Sequence, residues 1–161
     1  MPEVICNTSP LQYLHQIGQL SILPALAGSI IVPPSVQVEL DAGIVKGLDL
    51  PTIENLRWIR IQSPISAKAA SLITDLGPGE SQVLMLALEM PGSIVLLDDA
   101  LARRVAIAKG IPIKGTLGLL LDAKRAGHLE SIKPSIDMLQ ELGFRLSKPT
   151  REAVMKLAGE H

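Results

Sequence analysis

Short, wholly apolar runs alternate along this chain with longer stretches in which apolar residues recur every three or four positions. Val4-Ile5-Cys6, Ser29 to Val32, Ile94 to Leu97 and Ile111-Pro112-Ile113 are of the first kind. Parallel strands covered on both faces read this way, because neither face is left for polar residues. Trp58-Ile59-Arg60-Ile61 alternates instead, which predicts an edge or irregular strand. Between the strands lie helix signals. Ser9-Pro10 places an N-cap and a proline ahead of Leu11, Leu14 and Ile17. Further helices are predicted from Pro33-Pro34-Ser35 through Leu40, from Gly79 to about Met90, and over Ala100 to Lys109. Another is capped by Thr116 and ended by Gly127. Asp41 to Glu54, with its Gly, Pro and Asp, predicts a flexible loop. From Ile132 onward the pattern is helical, with breaks at Gly143 and Pro149.

Strands that alternate with helices predict an α/β fold, a parallel sheet with helices on both faces. The expected organisation is one domain over residues 1–147 and a helical tail over 148–161, loosely attached or used to bind a partner. No internal repeat, low-complexity tract or linker interrupts it.

The length of 161 residues suits one domain that buries about two-thirds of its unfolded surface. No apolar run approaches the roughly 18 residues of a membrane span, so no membrane association is expected. The start Met1-Pro2-Glu3-Val4 lacks the basic segment of a secretory signal, and Cys6 has no second cysteine to pair with. Both lead to a cytoplasmic expectation, with Cys6 as a small buried strand residue. The formal charge of −1 and the three aromatic residues, Tyr13, Trp58 and Phe144, limit the devices available for nucleic acid. Metal ions and a local basic patch would have to do most of the holding. High apolar content leaves helices such as Leu11 to Leu26 expected to seek a partner surface.

Candidate chemistry lies in carboxylates spread along the chain but aimed at one sheet edge. Glu80 is in line with Val83, Leu84, Ala87 and Leu88, the stripe that should face the core, where a charge needs a partner or a metal. As an acid in the first helical turn it would also suit the macrodipole. Glu39 interrupts the stripe Val36, Leu40, Gly43 and Ile44 in the same manner. Asp98-Asp99 follows a strand and precedes a helix, so one of the pair should cap that helix. The other is left at the carboxyl end of a parallel strand, where open α/β sheets place ligands. Asp99 is the expected ligand, with Asp98 in its place if the turn is one residue tighter. Asn7 ends the first strand with an amide, and Thr8 and Ser9 add hydroxyls, Ser9 also as a helix cap. Thr116 offers a hydroxyl to the same edge beside its capping role, and Arg103 or Arg104 offers a charge for phosphate. His15, His128 and His161 share no metal-ligand spacing and read as surface residues.

These pieces resemble, in order, the motifs of the PIN-domain family, small metal-dependent ribonucleases that include the VapC-type toxins of toxin–antitoxin pairs. Val4 through Leu11 looks like the first-strand motif, which usually reads Asp-Thr-Ser. Ile31 through Leu40 resembles the second acidic motif, and Leu76-Gly77-Pro78-Gly79-Glu80 the third, with Glu where many members carry Asp. Leu96 through Arg103, with Gly115-Thr116-Leu117-Gly118, resembles the fourth, nearest to a subgroup of short PIN-like proteins. The resemblance spans about residues 3 to 147.

It implies a three-layer α/β/α sandwich with a parallel sheet of four or five strands. It also implies Mg²⁺ or Mn²⁺ held by Glu39, Glu80, Asp99 and Asn7, and RNA phosphodiester cleavage by an activated water. Asn7, Glu39, Glu80, Asp98 and Asp99 would be catalytic, and Thr8, Ser9, Arg103 and Thr116 would orient water or phosphate. A homodimer and a small antitoxin partner are implied as well. The departure is Asn7, whose amide can ligate a hard cation but brings no charge. That leaves a second reading from another class, a degenerate module that binds RNA or a protein without cutting. A receiver-like phosphoacceptor is disfavoured, since its acidic pair would follow the first strand.

Overall fold

Five strands, all parallel, form one sheet: β1 (Val4–Cys6), β2 (Ile30–Val32), β3 (Ile59–Ile61), β4 (Ile94–Leu96) and β5 (Ile113–Lys114). The structure is a computed structural model that describes residues 2–65 and 76–161. Every residue of β1 and β2 is buried, as expected of strands covered on both faces. β3 lies at the edge of the sheet, and its three residues are half-buried or exposed, which accounts for the alternation around Ile59. The helices are α1 (Thr8–Gln16), α2 (Ile22–Ala27), α3 (Pro34–Val45), α4 (Pro78–Glu89), α5 (Ala100–Ala108), α6 (Thr116–Arg125), α7 (Lys133–Glu141) and α8 (Lys148–Leu157). With the sheet they make a three-layer α/β/α sandwich.

The strand order β3-β2-β1-β4-β5 puts a topological switch between β1 and β4. The chain leaves β1 towards one edge and, after β4, continues towards the other. The two connections therefore diverge and open a crevice above the carboxyl ends of these strands. Asn7 follows β1 and Asp98 follows β4, so the switch point brings together residues far apart in sequence. Register fixes the pairing: Cys6 sits opposite Leu96, and the Asn7 backbone N–H donates to the Leu96 carbonyl at 3.0 Å.

Several expectations require correction. The segment Asp41 to Glu54 is not a loop throughout, because α3 continues to Val45 and a 3-10 turn covers Ile53–Asn55. Gly43 is buried within α3 and lies against the side chains of Leu48 and Leu50; it makes room for packing and does not loosen the backbone. Within the stretch Leu11 to Leu26, Leu11, Leu14, Ile17, Ile22 and Leu23 are buried in the core, while Tyr13, Leu20 and Leu26 are half-buried against it. β5 begins one residue after Pro112, which has no N–H to donate, although its carbonyl accepts from Val95 at 2.9 Å.

The terminal segment is tied to the domain. Val154 and Met155 of α8 are buried. The Glu160 carboxylate accepts from Lys124 Nζ at 2.8 Å and from the Ile132 and Lys133 amides at 2.9 and 3.2 Å. Arg151 donates to Asp137 at 2.7 Å. Among the described residues no helix is long and apolar enough to cross a membrane.

Candidate functional site

A cleft of about 600 Å³ opens at the switch point. Asn7, Thr8, Ser9, Glu80, Asp98 and Asp99 all line it. Asn7 arrives as the N-cap position of α1, directly after β1, and the residue is 3% exposed. Its Oδ1 is a buried acceptor without a hydrogen-bond partner among the described residues. Buried polar atoms are nearly always satisfied, so an orphaned oxygen at a strand end calls for a ligand. Gly79, buried near the start of α4, faces that oxygen: a Cβ built there would lie 3.2 Å from Asn7 Oδ1 and 2.5 Å from Glu39 Oε1. The glycine thus lets two oxygens from different elements approach one backbone.

Glu39 reaches this place from α3, although the residue as a whole is exposed and is not part of the cleft wall. Thr8 Oγ1 donates to its Oε2 at 2.6 Å and so fixes the carboxylate. Glu80 curls back over the helix start, where a Cβ at Gly77 would lie 2.8 Å from its Oε2. It makes no hydrogen bond among the described residues.

The two adjacent aspartates divide their work. Asp99 is the N-cap of α5 and accepts from the Ala102 amide at 2.9 Å. Asp98 turns inward. It accepts from the Thr116 amide at 2.8 Å, from Thr116 Oγ1 at 2.7 Å and from Ser9 Oγ at 3.1 Å. The preference for Asp99 as the inward acid is therefore reversed by geometry, since the turn is the tighter of the two alternatives. The expected capping roles of Ser9 and Thr116 also change. α1 begins at Thr8 with Asn7 before it, α6 begins at Thr116 with Gly115 before it, and both hydroxyls serve Asp98.

Arg103 donates through Nη1 to the Leu97 carbonyl at 3.1 Å and lines a neighbouring cleft together with Asp98. Arg104 is exposed and lines neither cleft. His15 bonds Asp49 at 2.9 Å, and His128 and His161 are exposed, away from the acids. Sequence reasoning missed Tyr13, Phe144 and Arg145, which complete the wall of the acidic cleft. No local signal marks the last two, which follow a helix end far along the chain. Cys6, fully buried behind Asn7, is no nucleophile: burial first, and the nearby Asp98 charge second, push its thiol far above the usual range.

Oxygen is the only donor type here, which suits Mg²⁺ or Mn²⁺ and not a soft metal. The orphaned Asn7 Oδ1 and the Glu39 Oε1 that Gly79 admits beside it are donors that fit such an ion or one of its waters. Among the described residues no three His, Cys, Asp or Glu side chains close on one point. The acids therefore frame an open site that would hold an ion partly through water.

A family model described as a PIN domain matches residues 3–160. The chain belongs to the PIN-domain family. Its fold is accordingly a nuclease fold, and members of this family act on nucleic acid, generally with divalent metals. No curated protein and no solved structure matches the chain.

Proposed function

We propose that this PIN domain is a metal-dependent ribonuclease that hydrolyses RNA phosphodiester bonds at the β1–β4 crevice. The observation that carries the reading is the orphaned Asn7 Oδ1, brought with Glu39 Oε1 against the side-chain-free Gly79. Asn7, Glu39, Glu80 and Asp98 would hold Mg²⁺ or Mn²⁺ directly or through water, with Asp99 kept for the helix cap. When bound, such an ion supplies a water of lowered pKa and stabilises charge on the phosphate. The chain's own residues prepare for it. Thr8 orients Glu39, and Ser9 and Thr116 hold Asp98 in the cleft wall through both of its oxygens. Carboxylates have four lone-pair sites, so Asp98 keeps acceptor capacity after these bonds. Such supporting bonds commonly govern metal affinity or activity by about 10–100-fold. The role of toxin, with a small antitoxin and a homodimeric state, belongs to this proposal as the finer reading that the family resemblance implies.

A second reading is favoured by Asn7 and by the spread of the acids: a PIN fold that binds RNA or a protein without cutting. Purified protein with mixed RNA and Mn²⁺, beside Glu80→Ala, separates the two. The ribonuclease reading expects cleavage that falls at least about 100-fold in the variant. Cleavage unchanged by the substitution comes from a contaminant and leaves the binding reading.

A further inference from the structure

A second cleft, of about 470 Å³, adjoins the acidic one, and Asp98, Phe144 and Arg145 belong to the walls of both. Its wall adds Arg103, Lys114 and the start of α8. The three cations there differ in state. Lys114 is neutralised by an ion pair with Asp122. Arg103 spends one Nη on the Leu97 carbonyl and meets no carboxylate within ion-pair reach among the described residues. Arg145 is exposed and has neither hydrogen bond nor ion pair among the described residues. Among the described residues Arg57, Arg104 and Arg125 have no such partner either, but they line neither cleft.

The position of Arg145 is set by a sharp chain reversal. Gly143 takes a φ of 91°, which disfavours any side chain, and Phe144 N donates to Leu139 O at 2.9 Å. The turn throws Phe144 and Arg145 back to the cleft. There Phe144 meets Tyr13 edge to face, with ring centroids 5.0 Å apart at 83°. Two of the chain's three aromatic residues are thus gathered at the rim of the acidic cleft. A ring beside a free guanidinium suits an unstacked base next to its phosphate, which a single strand offers and a duplex does not.

We infer that this shared lip, anchored by Arg145, holds the nucleotide next to the scissile phosphate. The phosphate next to the scissile one is gripped by Arg145 and Arg103, and its base lies against the Tyr13–Phe144 rim. The inference rests on the acidic cleft as the place of RNA cleavage and names the residues that hold the neighbouring nucleotide. Guanidinium forks match phosphate oxygens bidentately, which a lysine cannot do.

Binding of a short fluorescent single-stranded RNA, followed by anisotropy in Ca²⁺ over a range of salt, tests this. Arg145→Ala is expected to weaken binding about threefold to tenfold and to lower the log–log salt slope by about 0.7. Arg145→Lys restores the slope and only part of the affinity, and the same strand in a duplex binds more weakly. Equal affinity and slope for wild type and Arg145→Ala overturn the inference, while Mn²⁺-dependent cleavage by both would leave the ribonuclease reading standing. A wild type that binds Arg145-dependently but cuts nothing upholds the subsite and sinks the catalysis. A wild type that neither binds nor cuts RNA sinks both.

Discussion

Gly79 has no side chain, and the space this leaves is occupied by Glu39 Oε1 and Asn7 Oδ1. Its backbone is helical, so alanine there is favoured by propensity and opposed by the Glu39 carboxylate, the far end of a flexible side chain, and less strongly by the buried Asn7 Oδ1. Gly79→Ala is therefore expected to keep or raise the melting temperature while lowering Mn²⁺ affinity about tenfold or more, read by thermal melting and calorimetry. A folded Gly79→Ala that binds Mn²⁺ as tightly as wild type would contradict the site. The aspartate pair gives a second contrast. Asn caps helices about as well as Asp, so Asp99→Asn should retain stability and most activity. Asp98→Asn should retain the fold and lose RNA cleavage about 100-fold, since an amide brings no charge to the cleft. That contrast was not legible in the sequence. Asp98 and Asp99 are neighbours of the same type, and one residue of turn geometry decides which faces inward. Glu80 and Asn7 were legible, because a polar group on an otherwise apolar stripe or strand end advertises itself.

At the level of elements, strand ends and helix starts carry the site. The apolar runs at Val4, Ile30 and Ile94 identify buried parallel strands, and the topology then follows from alternation with helices. What the pattern does not carry is which polar group at a helix start serves its own helix. Ser9 and Thr116 have the composition of caps, yet both give their hydroxyls to Asp98, which closes the gap between α1, α6 and the end of β4. Thr116→Val preserves shape and removes one donor while the amide contact stays. It is expected to destabilise by about 1 kcal/mol in urea unfolding and to lower cleavage about tenfold. Gly43 misled in the other direction. A glycine followed by Gly47 and Pro51 suggests a loop, but Gly43 is a packing residue beneath Leu48 and Leu50. The lip residues Phe144 and Arg145 join the cleft only through the Gly143 reversal and long-range packing, so no local pattern announces them.

Across the whole molecule, the segment 148–161 is held by its last residues. Burial opposes ionisation of Glu160, but the Lys124 ammonium and the amides of Ile132 and Lys133 outweigh it and hold the carboxyl below its ordinary value of 4.5. A depressed pKa contributes stability that is complete above the unfolded value and is lost as pH falls through the folded one. We read the segment as an extension docked on the domain. Glu160→Gln should then lower stability at pH 7 by about 1–2 kcal/mol, with the gap to wild type closing in acid below that ordinary value. A constant gap across pH would show that the charge plays no part. The central claim, however, concerns Asn7, Glu39, Glu80 and Asp98 as the frame of one ion site. Calorimetric titration of Mn²⁺ into wild type and Asn7→Asp tests it most directly. A carboxylate in place of the orphaned amide oxygen should tighten binding about tenfold or more. Equal affinity for the two proteins would place the ion elsewhere and contradict the site.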